Sequence, residues 1–573
     1  MTRVASDIAA SPGPRTPSPA EIFASEHADV GVRLLRDHLV GSSTRLWMLM
    51  LLAAVAIVLL IACTNVANLW LARASVQQRE IAVRAALGAS RGRLVQRVLI
   101  ESLLVSIAGT IAGLVLARTC VRAITAALPE DVVRVGAIGI DTRVLTVAAM
   151  AALMTGLISG LIPSLQGSRP ALSAMLNDGS RRSSAGLGRR RARAILVVAE
   201  VALAVVLLVG AALFTGSFVN VMHIDPGFRT DRVLTVQLGP GTPHPDIRPA
   251  LADIVDRAQQ FPDVVHAAAS APGIPFRINM QIGALRAPGG TVDPNMTVSV
   301  KFVTADYHRT LAIPLQRGRH FSADDTEGRE AVVILSETAA HMYFGSRDPV
   351  GQIVDVMGSG VRTVVGIVAN ARQASLEVSP HPEIYVPMAQ SSRQSHGFVL
   401  MHTTGDPNDA LPALRSVVAQ VLPGVPLRQV ARLDDLMAAQ TAERRLSMLM
   451  FGLFGFLGLV ISAVGIFGVI AYLVSQQTRE IGIRMALGAT RSRVVAGIFA
   501  HVGRLMAIGL TMGGIIAWSL STTASRFLFN LDPRDARAYA IAMITLTVSA
   551  FVATLLPARR AARVNPTEAL QRE

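Results

Sequence analysis

Cysteine and lysine are nearly absent from this sequence. Two cysteines occur among its 573 residues, Cys63 and Cys120, and Lys301 is the single lysine. The scarcity of cysteine excludes a disulfide framework and a cysteine-based zinc site in this chain. A Walker A loop needs a lysine beside Ser or Thr after a glycine-rich run, whereas Lys301 stands between Val300 and Phe302. These residues therefore contain no ATP-binding loop of that type.

Charged residues are also scarce, at 16%, where an ordinary soluble protein has about a quarter. Hydrophobic residues make up 51% and the mean hydropathy is +0.46, which excludes a disordered chain. The net charge of +15 is unevenly placed, because residues 222–440 hold 18 basic against 21 acidic side chains. The basic excess flanks apolar runs, a membrane pattern, and no nucleic-acid partner is expected. We predict a polytopic α-helical membrane protein with one large extracytoplasmic α+β domain.

Seven apolar stretches are long enough to cross a hydrocarbon core, which takes roughly 20 helical residues. They are 46–71, 97–117, 144–165, 194–218, 446–473, 495–520 and 539–557. Four polar segments between or after them hold 21 arginines against 5 acidic residues, namely 72–98, 168–194, 475–494 and 558–573. The positive-inside rule assigns these segments to the cytoplasm. Residues 222–445 and the N-terminus are then expected outside, and the C-terminus inside.

One segment of the chain recurs within it. Residues 79–95 match residues 479–495 at 11 of 17 positions, with a constant offset of 400. The same offset aligns 45–50 with 445–450, and two further apolar stretches follow each copy. The sequence therefore predicts two related units.

The second unit is predicted to have four spans and the first only three. The corresponding domains are 1–45, 46–177, 178–193, 194–221, 222–445 and 446–573. Residues 46–177 form the first three-span unit and 178–193 a basic linker. Residues 194–221 are the opening span of the second unit, 222–445 its outside domain and 446–573 its last three spans. We interpret 1–45 as the remnant or tail of an extracytoplasmic domain; the alternative is a seven-span protein with a short translocated tail.

The outside domain carries strand-like and helical patterns in alternation. Strands are predicted at 232–238, 297–303, 331–335, 361–368, 384–388 and 398–402, and helices at 245–260 and 409–421. Polar and apolar residues alternate over 297–303, which predicts a strand with one solvated face. The mixture indicates an α+β domain.

No catalytic constellation is evident in this domain. Neither HExxH nor GxSxG occurs, and its histidines are scattered along the chain. The acidic group Asp324, Asp325, Glu327 and Glu330 lies in a polar, glycine-containing stretch and is interpreted as a solvated loop. The chain is therefore not expected to be an enzyme.

The repeated segment opens with Arg-Glu-Ile and continues to Ala-Leu-Gly-Ala in both copies. Gly88 and Gly488 suit a helix C-terminus, and Ser90 and Thr490 suit the N-cap of the next helix. The pattern predicts a short helix lying across the inner membrane surface. It is either a basic anchor to lipid headgroups or a docking helix for a cytoplasmic partner. Lipid attraction does not require Glu80 and Glu480 at matched places, which favours the partner.

Two acidic residues lie within or beside spans, Glu101 and Glu200. Either could relay protons. Both are expected near cytoplasmic ends, where a carboxylate reaches headgroup water or an arginine. His501 occupies the repeat position of Glu101, so the two units share no relay.

Three motifs together resemble the MacB/FtsX-type ABC transporter permeases, most closely their duplicated orphan members. They are the repeated Arg-Glu-Ile segment, the stretch 556–570 (LPARRAARVNPTEAL) and Asp225-Pro-Gly-Phe228. The resemblance implies a four-span unit with a periplasmic domain between its first and second spans. It also implies that the Arg-Glu-Ile segment is a coupling helix resting on a separate ATP-hydrolysing subunit.

The resemblance further implies a site and a function. The coupling residues would be Arg79, Glu80, Arg84, Leu87 and Gly88, with Arg479, Glu480, Arg484, Leu487 and Gly488. The chain would hold no cofactor or metal, since the partner ATPase uses the ATP, and it would lie in membrane lipid of the bacterial inner membrane. Export is the expected function, with a possible periplasmic or outer-membrane partner. The alternative is a regulator that moves no cargo and activates a periplasmic partner.

Overall fold

The computed structural model describes residues 42–76, 91–127, 141–167, 182–239, 246–277, 281–283, 285–286, 298–356, 359–487 and 490–562. By its internal contacts the chain falls into two compact segments, Met1–Leu59 and Leu60–Glu573, a division that differs from the two permease units. Only residues 42–59 of the first segment are described, and they form the start of the first helix. All contacts given below lie within the segment Leu60–Glu573.

Eleven α-helices occur in the described residues. They are α1 Ser42–Val76, α2 Arg91–Ala127, α3 Thr142–Gly167, α4 Arg182–Met222, α5 Arg248–Ala258, α6 Tyr307–Thr310, α7 Glu337–Phe344, α8 Leu411–Val421, α9 Leu433–Ala486, α10 Arg491–Ala524 and α11 Ala536–Ala562. Six helical stretches among the described residues are long and apolar enough to cross a membrane: Arg45–Leu69, Leu99–Thr119, Arg191–Met222, Arg444–Ser475, Arg491–Phe527 and Ala536–Ala562. The fifth of them consists of α10 and the 3-10 turn Ser525–Phe527 that follows it. The remaining predicted span lies in α3, in which the described apolar stretch is Thr142–Leu157.

Twelve strands form one mixed sheet in the part of the domain that the structure describes. They are β1 Val233–Leu238, β2 Val264–Ala271, β3 Gln281–Gly283, β4 Leu285–Arg286, β5 Val298–Val303, β6 Leu315–Gly318, β7 Val332–Ser336, β8 Ile353–Val356, β9 Gly360–Val368, β10 Glu383–Pro387, β11 Gly397–Thr403 and β12 Arg428–Arg432. The order is β12-β1-β11-β2-β5-β10-β7-β9-β8-β4, with β3 beside β5 and β6 beside β9. The pairs β5–β10 and β7–β9 are parallel. All six predicted strands are present, and both predicted helices correspond to α5 and α8.

The prediction of a solvated face on β5 is wrong. All six of its residues are buried, including Ser299 and Lys301. Lys301 Nζ lies 3.7 Å from a carboxylate oxygen of Glu383 on the neighbouring strand β10. A polar side chain can be buried when its partner is buried with it, so the alternating pattern does not mark solvent here.

Three groups of buried side chains form the core of the domain. One lies beneath α5 and α8 against β1, β2 and β11, where α5 contributes Leu251, Ile254, Val255 and Ala258 at helical spacing. A second lies beneath α7. The third contains Val221 from the end of α4 and Leu433 from the start of α9. The core of the domain is therefore continuous with the ends of two membrane helices.

Helix α4 packs against α9, α10 and α11. Its contact with α9 is close, because Gly455 faces Ala211 and Gly458 faces Leu207, while the rings of Phe214 and Phe451 stack 4.2 Å apart. Helices α2 and α3 pack on each other, and the hydroxyl of Ser102 donates to the carbonyl oxygen of Gly156 at 2.9 Å. Small residues that permit such close approach are typical of helix contacts in membranes.

Candidate functional site at the junction of membrane helices and domain

The predicted coupling residues of the second unit lie at the end of α9. Arg479, Glu480 and Arg484 belong to its last turns, and Leu487 ends it as an 82% exposed residue. Gly488 lies outside the described residues, as do all five residues of the first copy: Arg79, Glu80, Arg84, Leu87 and Gly88.

The separate short helix predicted for this segment is wrong in the second copy. Residues 474–486 continue α9 without a break. No proline interrupts them and Gly482 is their only glycine, so nothing in the sequence ends the helix before Ala486. Thr490 does occupy the N-cap position of α10, although its side chain makes no capping hydrogen bond.

Helix α9 is 54 residues long, which corresponds to about 81 Å at 1.5 Å per residue. It starts directly after β12 in the domain, where Leu433 is fully buried. It then crosses the apolar region Arg444–Ser475 and ends at the Arg-Glu-Ile segment. One continuous helix therefore joins the predicted ATPase contact to the core of the domain.

Arg444, at the start of the apolar stretch of α9, bonds to three other parts of the chain. Its guanidinium forms a two-point ion pair with Glu377 of the domain, with 2.6 Å between Nη2 and Oε2. Its Nη1 donates to the carbonyl oxygen of Phe527, and also to Ser217 Oγ of α4 at 3.3 Å. Bidentate arginine–carboxylate pairs fix geometry as well as adding energy. Arg444 thus ties together the domain, α4, α9 and the segment after α10.

The segment between α10 and α11 is also held by α4. The backbone N–H of Phe529 donates to Ser217 Oγ at 2.9 Å, and Asn220 Nδ2 donates to the carbonyl oxygen of Asn530 at 2.9 Å. Phe529 packs against the third core group of the domain, together with Leu436 and Met437 of α9. Polar and apolar contacts therefore join all four helices of the second unit to the domain at one level. We call the set Ser217, Asn220, Glu377, Arg444 and Phe529 the junction.

Sequence reasoning did not find the junction. Arg444 precedes an apolar run, where an arginine is ordinarily an interfacial anchor, and Thr44 stands at its repeat position. Glu377 lies in a loop with no motif around it. Only the fold brings these two residues together, 67 positions apart.

A buried polar network lies inside the domain, on β5 and β10. Glu383 accepts hydrogen bonds from the Tyr385 hydroxyl and from Gln373 Nε2, the latter at 2.6 Å, and faces Lys301. Burial lowers the pKa of Lys301 and raises that of Tyr385. All four side chains are closed off from solvent. Glu383 faces Lys301 across the parallel strand pair β5–β10, while Lys301 Nζ and Gln373 Oε1 make no hydrogen bond. The burial of the whole group suits a structural role.

His308 and His320 stack beside this network, with ring centroids 5.8 Å apart. Burial, followed by the nearby His320 and Lys301, lowers the pKa of His308 to about 3. Among the described residues, no group of three His, Cys, Asp or Glu side chains could hold a metal ion. The acidic loop predicted to be solvated is only partly exposed to solvent. Its residue Asp325 is buried and accepts hydrogen bonds from the Arg319 side chain and from the Ser322 backbone.

The middle of the chain matches one known domain family, and the segments on both sides of it match another. Residues 194–432 match the MacB-like periplasmic core domain, and residues 52–171 and 452–566 both match the FtsX-like permease C-terminal domain. The chain belongs to the MacB/FtsX-type ABC transporter permeases. It is a multi-pass membrane protein with one large MacB-like periplasmic core domain.

Several relatives of this permease are export proteins by name. The macrolide export ATP-binding/permease protein MacB of Chromobacterium violaceum is 27% identical over 49% of this chain and 44% of its own length. The pyoverdine export ATP-binding/permease protein PvdT of Pseudomonas syringae is 28% identical over 45% and 40%. The chain thus spans less than half the length of these relatives. The crystal structure of the periplasmic region of MacB from Actinobacillus actinomycetemcomitans is 15% identical, covers 39% of this chain and 98% of that one, and has a TM-score of 0.28.

Proposed function

We propose that this permease couples ATP hydrolysis by a separate cytoplasmic subunit to movement of its periplasmic domain, for export. The continuous helix α9 carries the proposal, because it starts at the core of the domain and ends at the repeated Arg-Glu-Ile segment. A helix of this length transmits a displacement at one end to the other only if it does not bend, and no proline interrupts it. The residues that would contact the ATPase are Arg79, Glu80, Arg84, Leu87 and Gly88, with Arg479, Glu480, Arg484, Leu487 and Gly488.

The junction supports the same proposal at the outer end. Arg444 is bonded to Glu377 of the domain and to two neighbouring membrane elements, so a shift or rotation of α9 is passed to all of them. In this proposal the chain lies in the bacterial inner membrane. The C-terminus and the Arg-Glu-Ile segments are in the cytoplasm, and residues 222–445 are in the periplasm. The lack of a Walker A loop in this sequence supports the proposal that a separate subunit hydrolyses the ATP.

The test is binding of a MacB-type ATPase subunit to the purified permease in detergent. We expect the wild type to retain the ATPase and Glu80→Arg plus Glu480→Arg to lose it, since both copies of the segment are altered. Asp178→Arg serves as a matched control, because it reverses one charge in the predicted cytoplasmic linker outside the repeat. Equal binding by the wild type and the double variant, or no binding by either, would contradict the assignment of the coupling residues.

A regulator that activates a periplasmic partner and moves no cargo fits the same helix and junction. The two functions differ in their response to cargo. Candidate macrolides, siderophores or peptides should stimulate the ATPase in proteoliposomes if the permease exports them. Stimulation only by a periplasmic protein would favour the regulator.

A further inference from the structure

Glu200 of α4 is fully buried among membrane helices. The expectation that it reaches headgroup water or an arginine is wrong, because its side chain is 0% exposed. Asn65 of α1 and Ser462 of α9 lie against its carboxyl group. The three residues therefore meet where a helix of the first permease unit contacts two helices of the second. We call them the Glu200 cluster.

The backbone of α9 brings these groups close together. Gly465 stands directly beside them, and a Cβ at that position would overlap the side-chain oxygens of both Asn65 and Glu200. Both oxygens thus point at one spot on α9. Asn65 is 8% exposed and Ser462 is 0% exposed, so water does not reach the cluster from solvent.

The orientation of the Asn65 amide is fixed by one hydrogen bond. Its Nδ2 donates to the carbonyl oxygen of Ile461 at 2.7 Å. Turning the amide over would bring Oδ1 against that carbonyl, with two acceptors facing each other. Asn65 Oδ1 therefore faces Glu200, and it has no donor, while neither oxygen of Glu200 has a hydrogen-bond partner either. An amide oxygen and an ionised carboxylate are both acceptors, and only the carboxyl group can take up a proton and become a donor.

An ionised carboxylate here would also be costly. Burying a charge without a paired cation is strongly unfavourable, and such groups become neutral instead. Arg193, on the same helix two turns earlier, lies 4.2 Å over the ring of Tyr472. Protonation of Glu200 resolves both problems, because the acid O–H can donate to Asn65 Oδ1 and the free carboxyl oxygen can accept from the Ser462 hydroxyl.

We propose that Glu200 is an intramembrane proton-binding site whose acid form donates to Asn65 and thereby holds α1 against α4 and α9. Glu200 acts as a positioning residue: its ligand is a proton, and the bond it makes joins the two permease units. The repeat itself is asymmetric here, since Gly465 and Gly468 stand where the first unit has Asn65 and Asn68. Asn65 comes from α1, Glu200 from α4 and Ser462 from α9, and Gly465 of α9 leaves the space in which Asn65 and Glu200 meet.

Infrared spectroscopy of the purified full chain at neutral pH tests the protonation directly. We expect the wild type to show a carboxylic-acid C=O band that is absent in Glu200→Gln. Glu101→Gln is the matched control, because it removes another carboxyl group at the edge of the membrane region and should leave the band in place. Asn65→Leu removes the acceptor and should shift the band to higher frequency. A spectrum that Glu200→Gln leaves unchanged, or a band abolished by adding sodium ions, would overturn the proposal.

Thermal unfolding of the same variants tests the role of the bond. The amide of Glu200→Gln is a neutral mimic of the acid that can still donate to Asn65, so its Tm should match that of the wild type. Glu200→Ala leaves Asn65 Oδ1 buried without a donor and should lower the Tm by several degrees. A Glu200→Gln variant as unstable as Glu200→Ala would overturn the proposal. Both measurements use the permease alone, so their outcome is independent of ATPase binding.

Discussion

The two permease units carry the same stripe of small residues but bury it differently. In the second unit, Gly509, Gly513 and Ala517 are buried on one face of α10. A Cβ on Gly513 would stand 2.6 Å from the carbonyl oxygen of Ala202 in α4, and one on Gly509 would stand 2.6 Å from Val201. The stripe is therefore the surface on which α4 rests.

The matching residues of the first unit are Gly109, Gly113 and Ala117, each 400 positions earlier. All three are exposed on α2, and within the described residues nothing lies within 4 Å of a Cβ on either glycine. The sequence contains the stripe of small residues twice, and α4 packs on the second copy, in α10. The repeat thus specifies the surface twice, and among the described residues only the second copy has a helix packed on it.

The largest expected difference between the units follows from this stripe. Gly513→Leu should prevent folding of the second unit, because its side chain would occupy the space of Ala202 and Val205 on α4. Gly113→Leu, the matched change in the first unit, should leave the folded yield and Tm nearly unchanged. Monodisperse yield in size-exclusion chromatography and thermal unfolding provide the measurement. Equal damage by both changes would mean that the stripe on α2 is also covered in the assembled protein.

The second largest expected difference between the two permease units concerns the junction, because the first unit has Thr44 at the repeat position of Arg444. Arg444→Ala removes the partner of Glu377 and of the Phe527 carbonyl, and each hydrogen bond to a charged group contributes about 1.5–3 kcal/mol. We expect a Tm several degrees lower, together with faster hydrogen exchange at Phe529. Arg445→Ala, at the exposed neighbouring position, should change stability by less than about 0.5 kcal/mol. A junction variant as stable as this control would show that the domain is held by its apolar contacts alone.

The periplasmic core domain is matched once, at residues 194–432 of the second permease unit. The stability of this domain should depend on pH. His308 is neutral when folded, since its pKa lies at about 3 against an ordinary 6.5. Between those values the unfolded chain binds a proton that the folded chain does not, so stability should fall as pH drops below about 6.5. The slope is at most about 1.4 kcal/mol per pH unit.

Urea unfolding followed by the fluorescence of a probe on the domain, at a series of pH values, measures this slope. His308→Gln should flatten it. His341→Gln is the matched control, because that histidine lies exposed on α7. An equal slope in wild type and His308→Gln would assign the acid response to other groups.

Sequence patterns locate helices and strands well where the length and hydrophobicity of the stretch itself determine the structure. The apolar stretches and the six strands were located within a few residues, because length and hydrophobicity suffice there. They failed where a partner from elsewhere decides the outcome. Lys301 is buried because β10 brings Glu383 beside it, and no pattern along β5 shows which strand will be its neighbour.

The same reason explains the errors about Glu200 and the coupling helix. Glu200 meets Asn65, 135 positions earlier, so its position near a run of arginines misled the expectation of a solvated carboxylate. The motif of the Arg-Glu-Ile segment predicts a separate helix, yet nothing between Ser475 and Arg479 ends α9. The orientation of the chain, the origin of the repeat and the roles of Arg79, Glu80, Arg479 and Glu480 stay predictions.

In the proposed function, α9 passes movement from an ATPase to the periplasmic domain. The direct measurement is hydrogen exchange at residues 375–378, beside the junction, with the ATPase bound and with or without ATP. Two glycines inserted after Gln477 in α9 should leave ATPase binding intact but abolish the ATP-dependent change that the wild type shows, and the same insertion after Asp178 should have no effect. An ATP-dependent change that persists unaltered with the α9 insertion would contradict the account.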